Sequence, residues 1–162
     1  MLRIHLVNTR DNILREDLTQ IVSDAEQIRP YHSELFRLCQ EKSGVGIAAN
    51  QVGLRENFFF VTAGAKFPTA KGHANYAAHM CINPRWIPDP KSSKIIDHEG
   101  CLSLPGRDFM VERESAILAW WTSATGHEVL KKKLTGWAAR VFQHEHDHLR
   151  GITLLQTGKE VQ

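Results

Sequence analysis

The segment Gln143-His144-Glu145-His146-Asp147-His148 carries the spacing H-E-x-x-H. On a helix, residues four apart lie one above the other, so His144 and His148 can share one metal ion. Trp137 and Val141 continue the same stripe. That pattern predicts a face turned into the core, where an ion's charge acts most strongly. Glu145 falls beside such an ion, not among its ligands, and is suited to take a proton from water. His146 lies about 200° from His144 around the helix and is expected to face solvent. Alone, the motif stays ambiguous, because two histidines four apart also arise from ordinary packing.

A catalytic site usually needs three protein ligands and an open position. The zinc peptidase pattern H-E-x-x-H-x-x-G-x-x-H continues here through Gly151 but ends in Leu154 where the third histidine should stand. Glu160 is the only later glutamate, and two residues after it leave no room for a further ligand helix. The third ligand is therefore sought upstream. Cys101, within Glu99-Gly100-Cys101-Leu102-Ser103, is the candidate, since a thiolate suits a borderline-soft divalent ion. Gly100 permits close backbone approach and Glu99 brings a second carboxylate. Cys39 and Cys81 sit in apolar patterns and read as core residues. A third segment, Gly44 to Gln51, has two glycines and two alanines, so a strand or a substrate can lie against it. It lacks the Lys-Ser/Thr of a phosphate loop, which argues against nucleotide binding. Gln51 reads either as an oxyanion donor or as a surface polar residue.

The elements that must position these residues follow from periodicity. The chain has 162 residues, a size expected to form one domain over 1–162 that buries roughly 70% of the unfolded surface. A net charge of +2 is too small to argue for nucleic acid or an anionic membrane, and Lys131 to Lys133 read as a short solvated run. No apolar stretch reaches membrane-spanning length, and the first residues lack a signal-peptide core, so a cytoplasmic protein is expected. Three cysteines do not make a disulfide framework. Residues 1–23 read as an irregular lead-in with turns at Asn8, Asp11 and Asn12. Tyr31, Leu35, Leu38 and Cys39 predict a helix over 30–42, with Pro30 in its first turn and Ser43-Gly44 ending it. Strands are expected at 57–62, at 78–87 with an edge or bulge at Asn83-Pro84, and at Ile95-Ile96 leading into the cysteine segment. Residues 115–122 and 127–134 flank a hairpin loop, and 63–77 read as a surface loop. A helix from 135 or 136 to 150, stopped by Gly151, completes an α+β domain of mixed or antiparallel strands around a C-terminal metal-binding helix.

Together, the three segments resemble the signature motifs of peptide deformylases: G-x-G-x-A-A-x-Q at Gly44 to Gln51, E-G-C-L-S at Glu99 to Ser103, and Q-H-E-x-D-H at Gln143 to His148. Asn83-Pro84, Leu104-Pro105-Gly106 and Ala139-Arg140-Val141 extend the match over about residues 10 to 152. The resemblance implies hydrolysis of the formyl group from N-terminal formylmethionine of new polypeptides, releasing formate. It implies Cys101, His144 and His148 as metal ligands with water fourth, Glu145 as proton acceptor and donor, and Gln51 with the backbone N–H of Leu102 as oxyanion donors. It further implies a Glu99–Arg113 pair and support of a ligand histidine by Asp147, for which a surface role is almost as good a reading. Val45, Gly46, Gly100, Trp137 and Val141 are the substrate-binding candidates, with Val45, Trp137 and Val141 as the methionine slot. The ligand set suits iron(II), zinc, nickel or cobalt, and the resemblance favours iron(II) in the cell. Bacterial members often carry a long C-terminal helix that reaches the ribosome. Residues 152–162 are too short for it, as in the shortened deformylases of some bacteriophages, so docking through that helix is not expected. A metalloprotease, a closed structural site with His98 or His146 as fourth ligand, and a catalytically silent relative are the rival readings.

Overall fold

A computed structural model describes residues 4–67 and 78–161. Among the described residues, eight strands form in the order β1 (Gly46–Ala48), β2 (Phe58–Val61), β3 (His79–Pro88), β4 (Lys94–Cys101), β5 (Leu104–Glu114), β6 (Ala116–Thr122), β7 (Glu128–Thr135) and β8 (Gly158–Glu160). In the same residues four α-helices accompany them: α1 (Ala25–Ile28), α2 (His32–Glu41), α3 (Gly136–Leu149) and α4 (Leu154–Thr157). One sheet runs β1-β2-β3-β6-β7 and the other β4-β5-β8, with every neighbouring pair antiparallel. The class is the expected α+β. No described helix is long and apolar enough to cross a membrane.

The run Phe58-Phe59-Phe60-Val61 is apolar at every position because β2 is covered on both faces. On one side the Phe60 ring meets His32 and Phe36 of the α2 region; on the other Phe59 meets Phe142 of α3 edge-on at 5.0 Å. Phe67 and Trp121 close around the same Phe142 ring, so α3 is seated on the larger sheet by one central aromatic. A buried aromatic of this kind anchors both burial and geometry. The smaller sheet keeps its own cluster of Leu104, Phe109, Val111 and Leu154.

Several expectations change in detail. Of the edge or bulge expected at Asn83-Pro84, the bulge is what forms: β3 lies between β2 and β6, and its register against β6 shifts between Ile82 and Arg85. Asn83 takes the left-handed conformation there and ties its amide to the backbone of Ser23 at 2.8 and 2.9 Å. Pro30 falls in a 3-10 turn, Arg29–Tyr31, that leads into α2, and Ser43, not Gly44, adopts positive φ where α2 ends. The segment before Ser23 is less loose than its turn residues suggest, since Ile13, Leu14 and Leu18 are buried and Leu18 N–H donates to the Leu149 carbonyl at the end of α3. Of the expected surface loop 63–77, Ala63–Ala65 form a 3-10 turn, Ala65 and Phe67 are buried, and 68–77 lie outside the described residues. Lys131 and Lys133 are exposed on β7, with Lys133 paired to Asp89 at 3.0 Å.

Gly151 ends α3 with φ +70°, and a Cβ there would stand 2.5 Å from the Arg15 backbone. Left-handed strain and a backbone collision add together. Gly151→Ala should therefore lower unfolding stability by at least about 2 kcal/mol in a urea titration, and a loss below about 0.5 kcal/mol would contradict this packing.

Candidate metal centre

Helix α3 presents His144 and His148 on one face, with ring centroids 5.0 Å apart. Cys101 comes from the end of β4, where the register against β5 shifts between Glu99 and Cys101. Such an irregularity re-aims a side chain. Cys101 Sγ stands 3.2 Å from His148 Nε2, and one ligand atom from each of Cys101, His144 and His148 lies within 4.8 Å of the others. Burial resists ionisation of Cys101, yet the adjoining His148 and His144 bring its thiol down to about 5. A thiolate is the form that ligates a metal.

Behind the three donors sits a buried charged network. His144 Nδ1 hydrogen-bonds to Glu99 Oε2 at 2.8 Å, which leaves Nε2 for an ion. Glu99 also accepts from Arg113 Nε and Nη2 at 2.9 and 3.0 Å, the pair implied by the family resemblance, and from Arg140 Nη1 at 2.8 Å. Burial opposes the Glu99 charge, but His144 and Arg113 hold its carboxyl down at about 2. Arg140 further donates to the carbonyls of Val111 and Ile95, tying α3 to both long strands of the smaller sheet. Its role was missed in sequence. The available signal was an arginine one turn before His144 on the ligand face, which read only as part of a motif echo.

Glu145 is buried, its Oε2 has no hydrogen-bond partner, and burial pushes its carboxyl up to about 7. The carboxyl packs against Gly46, where a Cβ would stand 2.4 Å from Oε1. The glycine of β1 is thus required by the glutamate of α3. Gln51 is not a surface residue: it is buried, Oε1 accepts from Ala48 N–H at 2.9 Å, and Nε2 donates to Ser103 Oγ at 2.9 Å. Leu102 lays its side chain over Gly44, where a Cβ would meet it at 2.7 Å. A cleft of about 480 Å³ opens over Cys101, His144 and Glu145 and is lined by Val45, Gly46, Gly100, Trp137 and Val141.

Three placements differ from expectation. Trp137 is not in the core; it is 41% exposed at the cleft wall, with Nε1 donating to the Gly64 carbonyl. The indole is held by the 3-10 turn at Ala63–Ala65 and not by the core. His146 does not face solvent but packs against Trp86 and Phe142, and burial draws its imidazole down to about 4. Asp147 is buried yet supports no histidine: it pairs with Arg113, and Glu99 is the carboxylate on His144. His98, exposed, pairs with Asp108.

Comparison with known proteins agrees with this architecture. The family model described as Polypeptide deformylase matches residues 4–162. The chain is 32% identical over 146 residues to a peptide deformylase of Thermotoga maritima, covering 90% of this chain and 80% of that protein. It is 33% identical over 147 residues to peptide deformylase 1 of Clostridium perfringens, covering 90% of each. Similar solved structures include a probable peptide deformylase from Synechococcus phage S-SSM7, with TM-score 0.78, 30% identity and coverage of 94% and 97%. A Met-Ala-Ser-bound peptide deformylase from Acinetobacter baumannii has TM-score 0.78, 25% identity and coverage of 95% and 97%.

The position of Glu145 has a measurable consequence in metal-free protein. Its folded carboxyl keeps a proton to about 7, against 4.5 for the ordinary group. Stability from this residue is therefore full below the unfolded value and is lost as pH rises through the folded one. Glu145→Gln removes that loss, so the variant should exceed wild type above pH 7 by on the order of 3 kcal/mol in denaturant titrations. The difference should vanish toward pH 4; a pH-independent difference would contradict the burial assigned to this carboxyl.

Proposed function

The chain belongs to the polypeptide deformylase family, and on that premise we propose that it hydrolyses the N-terminal formyl amide of formylmethionyl peptides, using one divalent metal ion held by Cys101, His144 and His148. The observation that carries this reading is an acidic thiol and two imidazoles converging under an open cleft, beside a buried carboxylate oxygen with no partner. One sulfur and two nitrogens fit a borderline ion such as iron(II), zinc, nickel or cobalt, and family membership favours iron(II). Among the described residues the cluster has three members, His98 pairs elsewhere and His146 packs on Trp86, which favours an open catalytic position over a closed structural site. When bound, the ion supplies Lewis acidity to the formyl oxygen and lowers the pKa of a water to about 7.

The chain's own residues do the rest. Glu145 accepts the proton from water as its oxygen bonds to the formyl carbon, then gives that proton to the methionine nitrogen as the C–N bond breaks. Formate and a free amine leave. Burial disfavours the charge on this carboxyl, and its unpartnered Oε2 is free to take and return a proton, which suits both halves of this exchange. Negative charge gathers on the formyl oxygen, and the Gln51 Nε2–H and the Leu102 backbone N–H donate to it. Gln51 Nε2 is 3.6 Å from Cys101 Sγ, within reach of the same volume. Val45, Val141 and Trp137 form the apolar wall for the methionine side chain, and Gly46 and Gly100 let the peptide backbone lie close. Met-Ala-Ser, bound in the Acinetobacter baumannii relative, is what formyl-Met-Ala-Ser becomes when the formyl group is gone. A substrate of this kind supports work on new chains in the cytoplasm.

Metal-replete protein should release formate from formyl-Met-Ala-Ser and leave internal peptide bonds intact. Gln51→Ala should reduce turnover on the order of 10²–10³-fold while metal content stays near one per chain. Full turnover in that variant would remove Gln51 from the reaction, and cleavage of internal bonds would favour a metalloprotease.

A further inference from the structure

Ser103 follows the cluster cysteine by two residues and is buried, yet nothing in the reaction described above uses it. Its hydroxyl oxygen accepts a hydrogen bond from Gln51 Nε2 at 2.9 Å. At the other end of the same amide, Oε1 accepts from Ala48 N–H at 2.9 Å. A side-chain amide can turn over and exchange its oxygen for its NH2 group. Here the Ala48 N–H, which can only donate, fixes Oε1 on its side and so turns Nε2 toward Ser103, whose hydroxyl oxygen accepts. With one Nε2 hydrogen held by Ser103, the second points to the cluster side, where in the metal-free protein it donates to Cys101 Sγ at 3.6 Å.

The geometry points to Ser103 as a positioning residue: its hydroxyl takes one amide hydrogen of Gln51 so that the other is presented to the formyl oxygen. The inference rests on the deformylase reading and on Gln51 as a donor within it. Loss of the hydroxyl would leave a buried N–H without an acceptor, which costs free energy and turns the amide toward another partner. The acceptor that remains is the sulfur of Cys101, which the amide already meets at 3.6 Å and onto which it would then settle fully. An amide drawn to that thiolate no longer aims at the substrate. A hydroxyl that only filled space would act on stability and leave turnover alone.

A double-mutant cycle on metal-replete protein tests this, with formate release as one readout and the Gln51 side-chain amide resonances as the other. Ser103→Ala should lower kcat roughly ten- to a hundred-fold, with KM and metal content near wild type, since a small misplacement of a reacting group has effects of that size. Ser103→Thr, which keeps the hydroxyl, should restore most of the rate. In a Gln51→Ala background, adding Ser103→Ala should change kcat less than about threefold, because the group it positions is already gone. One Gln51 amide proton should be slow to exchange in wild type and Ser103→Thr, and fast in Ser103→Ala. Wild-type kcat in Ser103→Ala, or an equal loss with and without Gln51, overturns the inference. Absence of formate release from wild type would instead sink the deformylase reading, and the amide-proton exchange would still report whether Ser103 holds Gln51.

Discussion

Glu99 accepts hydrogen bonds from two arginines and one histidine, and each donor comes from a different part of the fold or a different turn of it. Arg113 stands on β5, Arg140 and His144 on successive turns of α3, and Glu99 itself two residues before Cys101 on β4. This carboxylate therefore joins the strand that carries the sulfur to the helix that carries the imidazoles. Arg113 extends the network to Asp147, so two arginines are balanced by two carboxylates in a place with little water. Removing one member of such a network leaves an uncompensated buried charge, typically at a cost of about 3–5 kcal/mol. Stability and site geometry thus share the same contacts.

Helix α3 has two tasks. Phe142, Ala138 and Ala139 seat it on the larger sheet, while His144 and His148 look toward the cysteine. Because Phe142 is locked between Phe59, Phe67 and Trp121, the helix cannot rotate without breaking its aromatic packing. The glycine segment closes from the other side. Gly46 admits the Glu145 carboxyl, Gly44 admits the Leu102 side chain, and Asn50 donates to the His148 carbonyl. Small residues in β1 and just before it are what allow a strand, a helix and the cysteine turn to approach one another.

Much of this was legible in the residues. Histidines one helical turn apart, the aromatic run at 58–61 and the hairpin around 123–126 each obey a local period, and local periods survive into structure. Elimination of Leu154 as a ligand directed attention to Cys101, which does lie beside both histidines. What stayed hidden depends on distant partners. Arg140 reads as one more charged residue until β4 and β5 are laid against α3, and Asp147 chooses Arg113 over a histidine only because β5 delivers that guanidinium. His146 looked solvent-facing by angle alone, but β3 brings Trp86 over it. Gly46 carries no sign in sequence that a glutamate a hundred residues away needs its missing side chain.

A sulfur and two imidazoles sharing one ion are the premise of the proposed reaction. X-ray absorption of the metal-loaded protein reads that ligand shell directly. One sulfur at about 2.3 Å and two nitrogens at about 2.0–2.1 Å for zinc-loaded protein, with the sulfur contribution lost in Cys101→Ser, is the expected spectrum. A shell of nitrogen and oxygen alone in the unaltered chain would contradict it.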